Sequence, residues 1–320
     1  MAIIGKNVIE NLTTAMYEDI KIIYREYIQN SADSIDKAIK QGLITEKEAT
    51  IEIFIDSEND EINIEDNGIG IPKDNFIQIM SSIADSNKDK DRDKGFRGIG
   101  RLGGISCCNI LKFSCTVKGE NIISECTWDA RYIKEVLNDK NNKMLAAELV
   151  DKATKFTTQP TENINSHFFK VELIGIEKSS RELLYKENVR KYLQMVAPVP
   201  YSNKFLFTEK IKNYAKDNKF AIDEYQVLIN GEYLQKPYHT FLYEGSEKDK
   251  KAYDELEDVQ FKIFYDNNDN VLAWMWYGVS GYIKQIPVIN AMRGIRLRKS
   301  NIQIGDETTL TSHKFFKEPR

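Results

Sequence analysis

The stretch "GFRGIGRLGG" at residues 95–104 places five glycines in ten positions, and no other feature of the chain restricts its fold as much. Glycine loses more backbone freedom on folding than any other residue, so this density needs a physical reason. Three readings compete: a flexible linker, a dinucleotide-binding turn, or a collar of bare backbone around phosphates. Gly98, Gly100 and Gly103 spell G-x-G-x-x-G, but a dinucleotide fingerprint requires a buried strand directly before it, and "SNKDKDRDKGF" is not one. A Walker loop requires Gly-Lys followed by Ser or Thr, and a kinase glycine loop requires a His-Arg-Asp partner; neither occurs. Linkers are seldom followed by an apolar run such as "ISCCNILKF". The leading reading is a glycine turn feeding a helix that starts near Gly100. Free N–H groups and the positive end of the helix dipole hold polyphosphate there, and missing Cβ atoms let it come close.

A chain of 320 residues has room for two domains, and 41% apolar with 29% charged residues is the balance of a folded globular protein. The run "VLAWMWYGVSGYI" at 271–283 is too short and interrupted to cross a bilayer, and the N-terminus lacks the pattern of a secretion signal. A cytoplasmic location is therefore expected. Cys107, Cys108, Cys115 and Cys126 form no C-x-x-C pair, and only three histidines are present, so they read as buried thiols rather than metal ligands. A net charge of −4 creates no global field for nucleic acid, although local basic patches stay possible.

Residues 15–40 have a helical period, with Ile20, Tyr24, Tyr27, Ser31, Ile35 and Ala38 on one largely apolar face. On another side Glu26, Asn30 and Asp33 fall within about 60° of one another, which is either a functional stripe or a solvated face. "TIEIFID" (50–56) and "EINIEDNGIGI" (61–71) alternate and are joined by "SEND", predicting a β-hairpin. Residues 81–97 are polar and dense in both charge signs, which suits a lid and equally a solvated loop. Strands are predicted at "LKFSCTVK", "IISECTWD" and "HFFKVELIGI", and a helix at about 180–195. "APVPYSN" at 197–203 breaks the pattern and sets a boundary. Beyond it the chain reads as β-rich, with hairpins at "YQVLINGEYLQ", through Asn230-Gly231, and at "VQFKIFYDNNDNVLAWMWYGV".

Glu26-x-x-x-Asn30-x-x-Asp33, Asp66-x-Gly68-x-Gly70 and Gly95-x-x-Gly98-x-Gly100, in that order, resemble the three boxes of the GHKL ATPases. That superfamily includes gyrase B, HtpG-type chaperones, sensor histidine kinases, MutL and the MORC ATPases. "REYIQNSADSIDKA" is similar to the chaperone form of the first box, whereas "GFRG" and "ADSNK" are closer to MutL. The resemblance implies an α+β fold: a Bergerat-type two-layer sandwich over residues 1–200, its mixed, mainly antiparallel sheet covered by helices. A smaller β-rich transducer-like domain, similar to ribosomal protein S5, is expected over 201–320, with the chain the start of a longer protein.

By the same resemblance, Asn30 supplies its amide oxygen to Mg²⁺ on the phosphates of ATP, and Glu26 acts as general base. Asp66 accepts the adenine amino group beside Gly68 and Gly70, and Asp33 supports the base or the magnesium shell. Gly95, Gly98, Ile99 and Gly100 line the phosphates. Ser86, Lys88 and Arg97 belong to the lid, where the cations either reach the terminal phosphate or are merely solvated. A late Gly-Thr of the superfamily is replaced here by Ser166-His167, either of which fills that slot unless the register differs. A cation from the second domain is expected among Arg293, Arg296, Arg298 and Lys299, with Lys299 favoured; a basic, self-avoiding edge strand is the alternative. Glu26 favours hydrolysis over protein phosphorylation. The expected activity is a Mg-dependent ATPase in which ATP closes the lid and drives homodimerisation, an ATP-gated clamp. An adaptor that holds nucleotide without turnover, or a MutL-like DNA clamp, are the alternatives.

Overall fold

A computed structural model of the chain describes residues 5–6, 8–10, 19–82, 100–306 and 309. It divides into one unit of Met1–Leu193 with Tyr225–Leu234 and a second of Gln194–Glu224 with Gln235–Arg320.

In the first unit, helix α1 (Ile22–Lys40) buries Tyr24, Tyr27, Ser31, Ile35 and Ala38, which is the periodic face read from the sequence. Residues 15–18 of the expected helix lie outside the described residues. Lys37 and Lys40 sit in its last turn, where cations complement the negative end of the helix dipole. Strands β1 (Thr50–Asp56) and β2 (Glu61–Asp66) form the expected antiparallel hairpin, in which Ile53 faces Ile64 and Ile51 faces Asp66. After α2 (Lys73–Ser81) and a short 3-10 helix (Gly100–Ser106) come β3 (Cys108–Thr116) and β4 (Ile122–Asp129). Next are α3 (Ala130–Asn138), α4 (Ala146–Ala153), β5 (Thr154–Pro160), β6 (Phe168–Ile176) and α5 (Lys186–Val196). No element between 130 and 160 was read from the sequence. The start of α3 is nevertheless capped in the usual way, the Asp129 carboxylate accepting the Tyr132 N–H at 2.8 Å.

With β7 (Gln226–Ile229) and β8 (Glu232–Tyr233), these strands make one eight-stranded sheet in the order β5-β4-β3-β6-β2-β1-β7-β8. Every neighbouring pair is antiparallel except β1 with β7. Helix α1 lies on β1 and β2, α2 on β4 and α3 on β3. Ile51, Ile53, Ile62, Ile64, Leu111, Phe113 and Leu173 are buried, while Glu52, Glu65, Lys112, Lys170 and Glu172 alternate onto the other face. This is the mixed, mainly antiparallel α+β arrangement expected. All four cysteines are buried and unpaired, and burial raises the Cys115 and Cys126 thiols to about 12.

The hairpin of residues 226–233 departs from the reading that put it in the second half. Its buried Val227 and Ile229 pair with Ile51 and Ile53, so its apolar alternation is satisfied by the first sheet. Asn230 and Gly231 turn with φ of 47° and 77°, as the Asn-Gly signal requires. The Asn230 side chain also accepts from Ile55 N at 3.2 Å and donates to Ile55 O at 3.0 Å.

The second unit contains α6 (Thr208–Asp217) and a sheet of β9 (Phe241–Glu244), β10 (Lys251–Tyr265) and β11 (Val271–Ser280) in the order β11-β10-β9. A hairpin of β12 (Leu297–Lys299) and β13 (Ile302–Ile304) follows. Phe205, Ile211, Tyr238, Leu256 and Val259 form its core, with Trp274 and Trp276 packed against them. Lys236 is fully buried and donates to the carbonyls of Val199 at 2.6 Å and Ala197 at 3.3 Å. Among the described residues no helix is long and apolar enough to cross a membrane.

Removing the Asn230 side chain strands two groups of Ile55. Asn230→Ala is expected to cost roughly 1–3 kcal/mol in urea unfolding followed at the first unit.

Candidate functional site

Helix α1 carries the first group of expected site residues. The Glu26 carboxylate is half-buried, 3.3 Å from the Arg25 guanidinium. A Cβ placed on Gly100 would lie 2.3 Å from Glu26 Oε2, so the bare Cα of Gly100 sits against the carboxylate. Asn30 is half-buried one turn further on, and Asp33 is buried. None of the three is fully exposed, and Glu26 is the one seen against Gly100.

The second group lies at the end of β2. Asp66 is only 2% exposed. Its Oδ1 accepts the Gly68 N–H at 3.0 Å, and it is hydrogen-bonded by the hydroxyls of Ser31 and Ser34. Burial raises its pKa to about 7 against the downward pull of these hydrogen bonds. A Cβ on Gly68 would lie 2.1 Å from Ser34 Oγ. Gly70 has φ +71°, and a Cβ there would lie 2.2 Å from the Thr116 carbonyl oxygen, so the turn demands glycine on two counts. His167 Nδ1 is 2.8 Å from the Gly68 carbonyl. A carbonyl only accepts, so this nitrogen carries the hydrogen. Of the two residues considered for the Gly-Thr slot, His167 is the one that reaches the Asp66 turn.

The glycine segment was expected to feed a helix that starts near Gly100, and a 3-10 helix of seven residues starts there. The Tyr27 hydroxyl binds this turn, donating to Arg101 O at 3.0 Å and accepting the Gly104 N–H at 3.1 Å. A Cβ on Gly104 would lie 2.6 Å from that hydroxyl, so a larger residue would push Tyr27 away. The Arg101 guanidinium in turn donates to the Ser82 carbonyl, just past α2.

Tyr27 and Ser31 were read from the sequence only as part of the apolar face, and Ser34 was not singled out. Their signal was present in "YIQNSADS", where hydroxyls recur at helical steps beside an apolar face. Ser86, Lys88, Gly95, Arg97, Gly98 and Ile99 lie outside the described residues. Lys299 is exposed on β12 of the second unit. Its neighbours are engaged locally: Arg298 donates to Met195 O at 2.6 Å, and Arg296 to Ala291 O at 3.1 Å. Among the described residues no group of three or more His, Cys, Asp or Glu side chains forms a metal site.

Residues 7–162 match the family described as Histidine kinase-, DNA gyrase B-, and HSP90-like ATPase. The chain is 26% identical over 289 residues to the chaperone protein HtpG of Wigglesworthia glossinidia brevipalpis, covering 85% of this chain and 40% of that relative. It is 23% identical over 283 residues to HtpG of Francisella tularensis subsp. tularensis, covering 82% of this chain and 39% of the relative. A shorter match to HtpG of Coxiella burnetii is 33% identical over 87 residues, 25% of this chain and 14% of the relative. The chain thus spans about two fifths of the length of the first two relatives. The mixed, mainly antiparallel α+β sheet of the first unit is consistent with the Bergerat fold of the GHKL ATPases, which the chain resembles over residues 7–162, and the particular likeness is to HtpG. ATP binding is the coarse activity that this likeness indicates.

The raised pKa of Asp66 links its charge to stability. Between about pH 4 and 7 the folded state holds a proton that the unfolded carboxyl has released, so this group loses the fold stability as pH rises through that window. Asp66→Asn is expected to raise the unfolding temperature at pH 8, by about 4 kcal/mol of stability at most, with the gain fading by pH 5. Thermal unfolding of both proteins at several pH values checks it.

Proposed function

We propose that the chain binds Mg·ATP along α1 and the 66–70 turn and hydrolyses it. The observation that carries this reading is the Glu26 carboxylate against the bare Cα of Gly100, on the same helix whose Ser31 and Ser34 hold Asp66. An acid, an amide and a glycine-bounded backbone then share one side of one helix.

The Asp66 carboxyl, which accepts the Gly68 N–H, is the acceptor assigned to the exocyclic amino group of adenine. Gly68 and Gly70 keep the adjoining backbone free of side chains. Glu26 is placed to orient a water and take its proton as it attacks the terminal phosphate. Asn30, with Asp33 behind it, offers the sparse oxygen donors that a hard, water-retaining cation accepts, and Mg²⁺ bound there would neutralise charge on the phosphates. The Gly100 N–H, together with those of Gly95, Gly98 and Ile99, is assigned to the phosphate oxygens.

The likeness to HtpG supports a wider proposal. ATP closes the 81–97 segment as a lid and drives homodimerisation, the second unit acts as a transducer that supplies Lys299 as catalytic cation, and the protein works as a chaperone-like clamp in the cytoplasm.

Glu26→Ala is expected to keep Mg·ATP binding by calorimetry while lowering turnover by about 10²–10⁴-fold, the usual contribution of a general base. Turnover at the wild-type rate in that variant, or no heat from Mg·ATP with the wild type, would remove the proposal. Gly100→Ala is a gentler probe, because the nearest atom to the new methyl is Oε2 at the movable end of the Glu26 side chain. It should slow turnover with little change in unfolding temperature.

A further inference from the structure

We propose that a second copy of this chain pairs antiparallel along the free edge of β11, joining two second units into one continuous sheet. Strand β11 reads VLAWMWYGVS and is the outer strand of its sheet. From Ala273 to Val279 it pairs without interruption with Phe264 to Asp258 of β10. On its other side, alternate N–H and C=O groups have no partner among the described residues.

Edges of this kind are a hazard that chains suppress with charge, proline, brevity or bulges. The other edges here carry such guards. Strand β5 contains Lys155 and ends in Pro160. Strand β8 has two residues, and its Glu232 is paired with Lys186 and Arg190 at 2.9 and 2.6 Å. Strand β9 is short, ends in Glu244 and meets β10 through a register shift. Strand β11 has ten residues with no charge and no proline, and its two irregularities against β10 lie at its ends, beside Leu272 and between Val279 and Ser280, leaving the seven residues between them regular.

The missing charge also selects the occupant. A strand laid beside β11 finds no ion-pair partner on it, so a charged strand would lose solvation without compensation. Among the described sheet edges β11 alone is uncharged over such a length, so a second β11 satisfies the requirement that it imposes. Antiparallel pairing about a two-fold axis uses both free edges at once and closes at a dimer. The guarded β9 at each outer end stops further growth. Met275 and Tyr277 share the face opposite Trp274 and Trp276, so both can be altered without entering the core.

The test uses the whole chain without nucleotide, which separates this contact from any association driven by ATP. Sedimentation velocity at roughly 100 µM is expected to give a dimer. The double variant Met275→Lys/Tyr277→Lys and the double variant Met275→Glu/Tyr277→Glu should each be monomeric with unchanged circular dichroism and unfolding temperature. Mixed in equal amounts, they should restore the dimer through opposite charges across the edge. A monomeric wild type, a lysine variant that stays dimeric, or a mixture of two folded variants that stays monomeric would each overturn the proposal. Glu26→Ala should dimerise like the wild type, so failure of hydrolysis and failure of this contact are read separately.

Discussion

The hydrogen bonds from Ser31 and Ser34 to the buried Asp66 carboxylate are the contact around which the first unit is organised. An isolated carboxylate at 2% exposure would cost several kcal/mol to ionise. Two hydroxyls from α1 and the Gly68 N–H reduce that cost, and they join a helix to the end of a strand in doing so. The Ile69 N–H adds a backbone bond to Ser34 O at 3.2 Å, so the turn after β2 is attached to α1 through both side chains and main chain. The pKa that stays near 7 after all this is the residual strain of keeping an acceptor in a dry place.

Helix α1 works in a similar way at its other end. Tyr27 takes a carbonyl and an amide from the segment after the glycines, and Glu26, one residue earlier, meets Gly100. One helix thereby sets the distance between two pieces of backbone that are more than thirty residues apart in sequence. The buried side holds the sheet, and Glu26 on the polar stripe meets Gly100. Loss of the buried side would release both ends together.

Much of this was legible in the chain. The β1–β2 hairpin, β4 and the face of α1 followed from alternation and helical period alone, because each is an amphipathic element with one clear buried side. The glycines at 68 and 70 were read as close approaches, and the structure adds the atoms that are approached, Ser34 Oγ and the Thr116 carbonyl. Less was legible elsewhere, beginning with α3, α4 and β5, which were not read at all. The helix expected at Gly100 is a short 3-10 turn, and its attachment to the Tyr27 hydroxyl is a long-range contact that no local pattern encodes. The hairpin at 226–233 was recognised as a hairpin but assigned to the wrong sheet, because Asn-Gly specifies a turn and says nothing of the strand beside it.

That returning hairpin has a consequence for biogenesis. The chain leaves the first unit after residue 193, builds part of the second, and comes back with residues 225–234 before leaving again. A nascent polypeptide emerging from the ribosome therefore cannot finish its first sheet when the first 193 residues are out. The edge of β1 stays open to stray partners while about thirty more residues are translated, and the two units acquire their last strands in an interleaved order rather than one after the other.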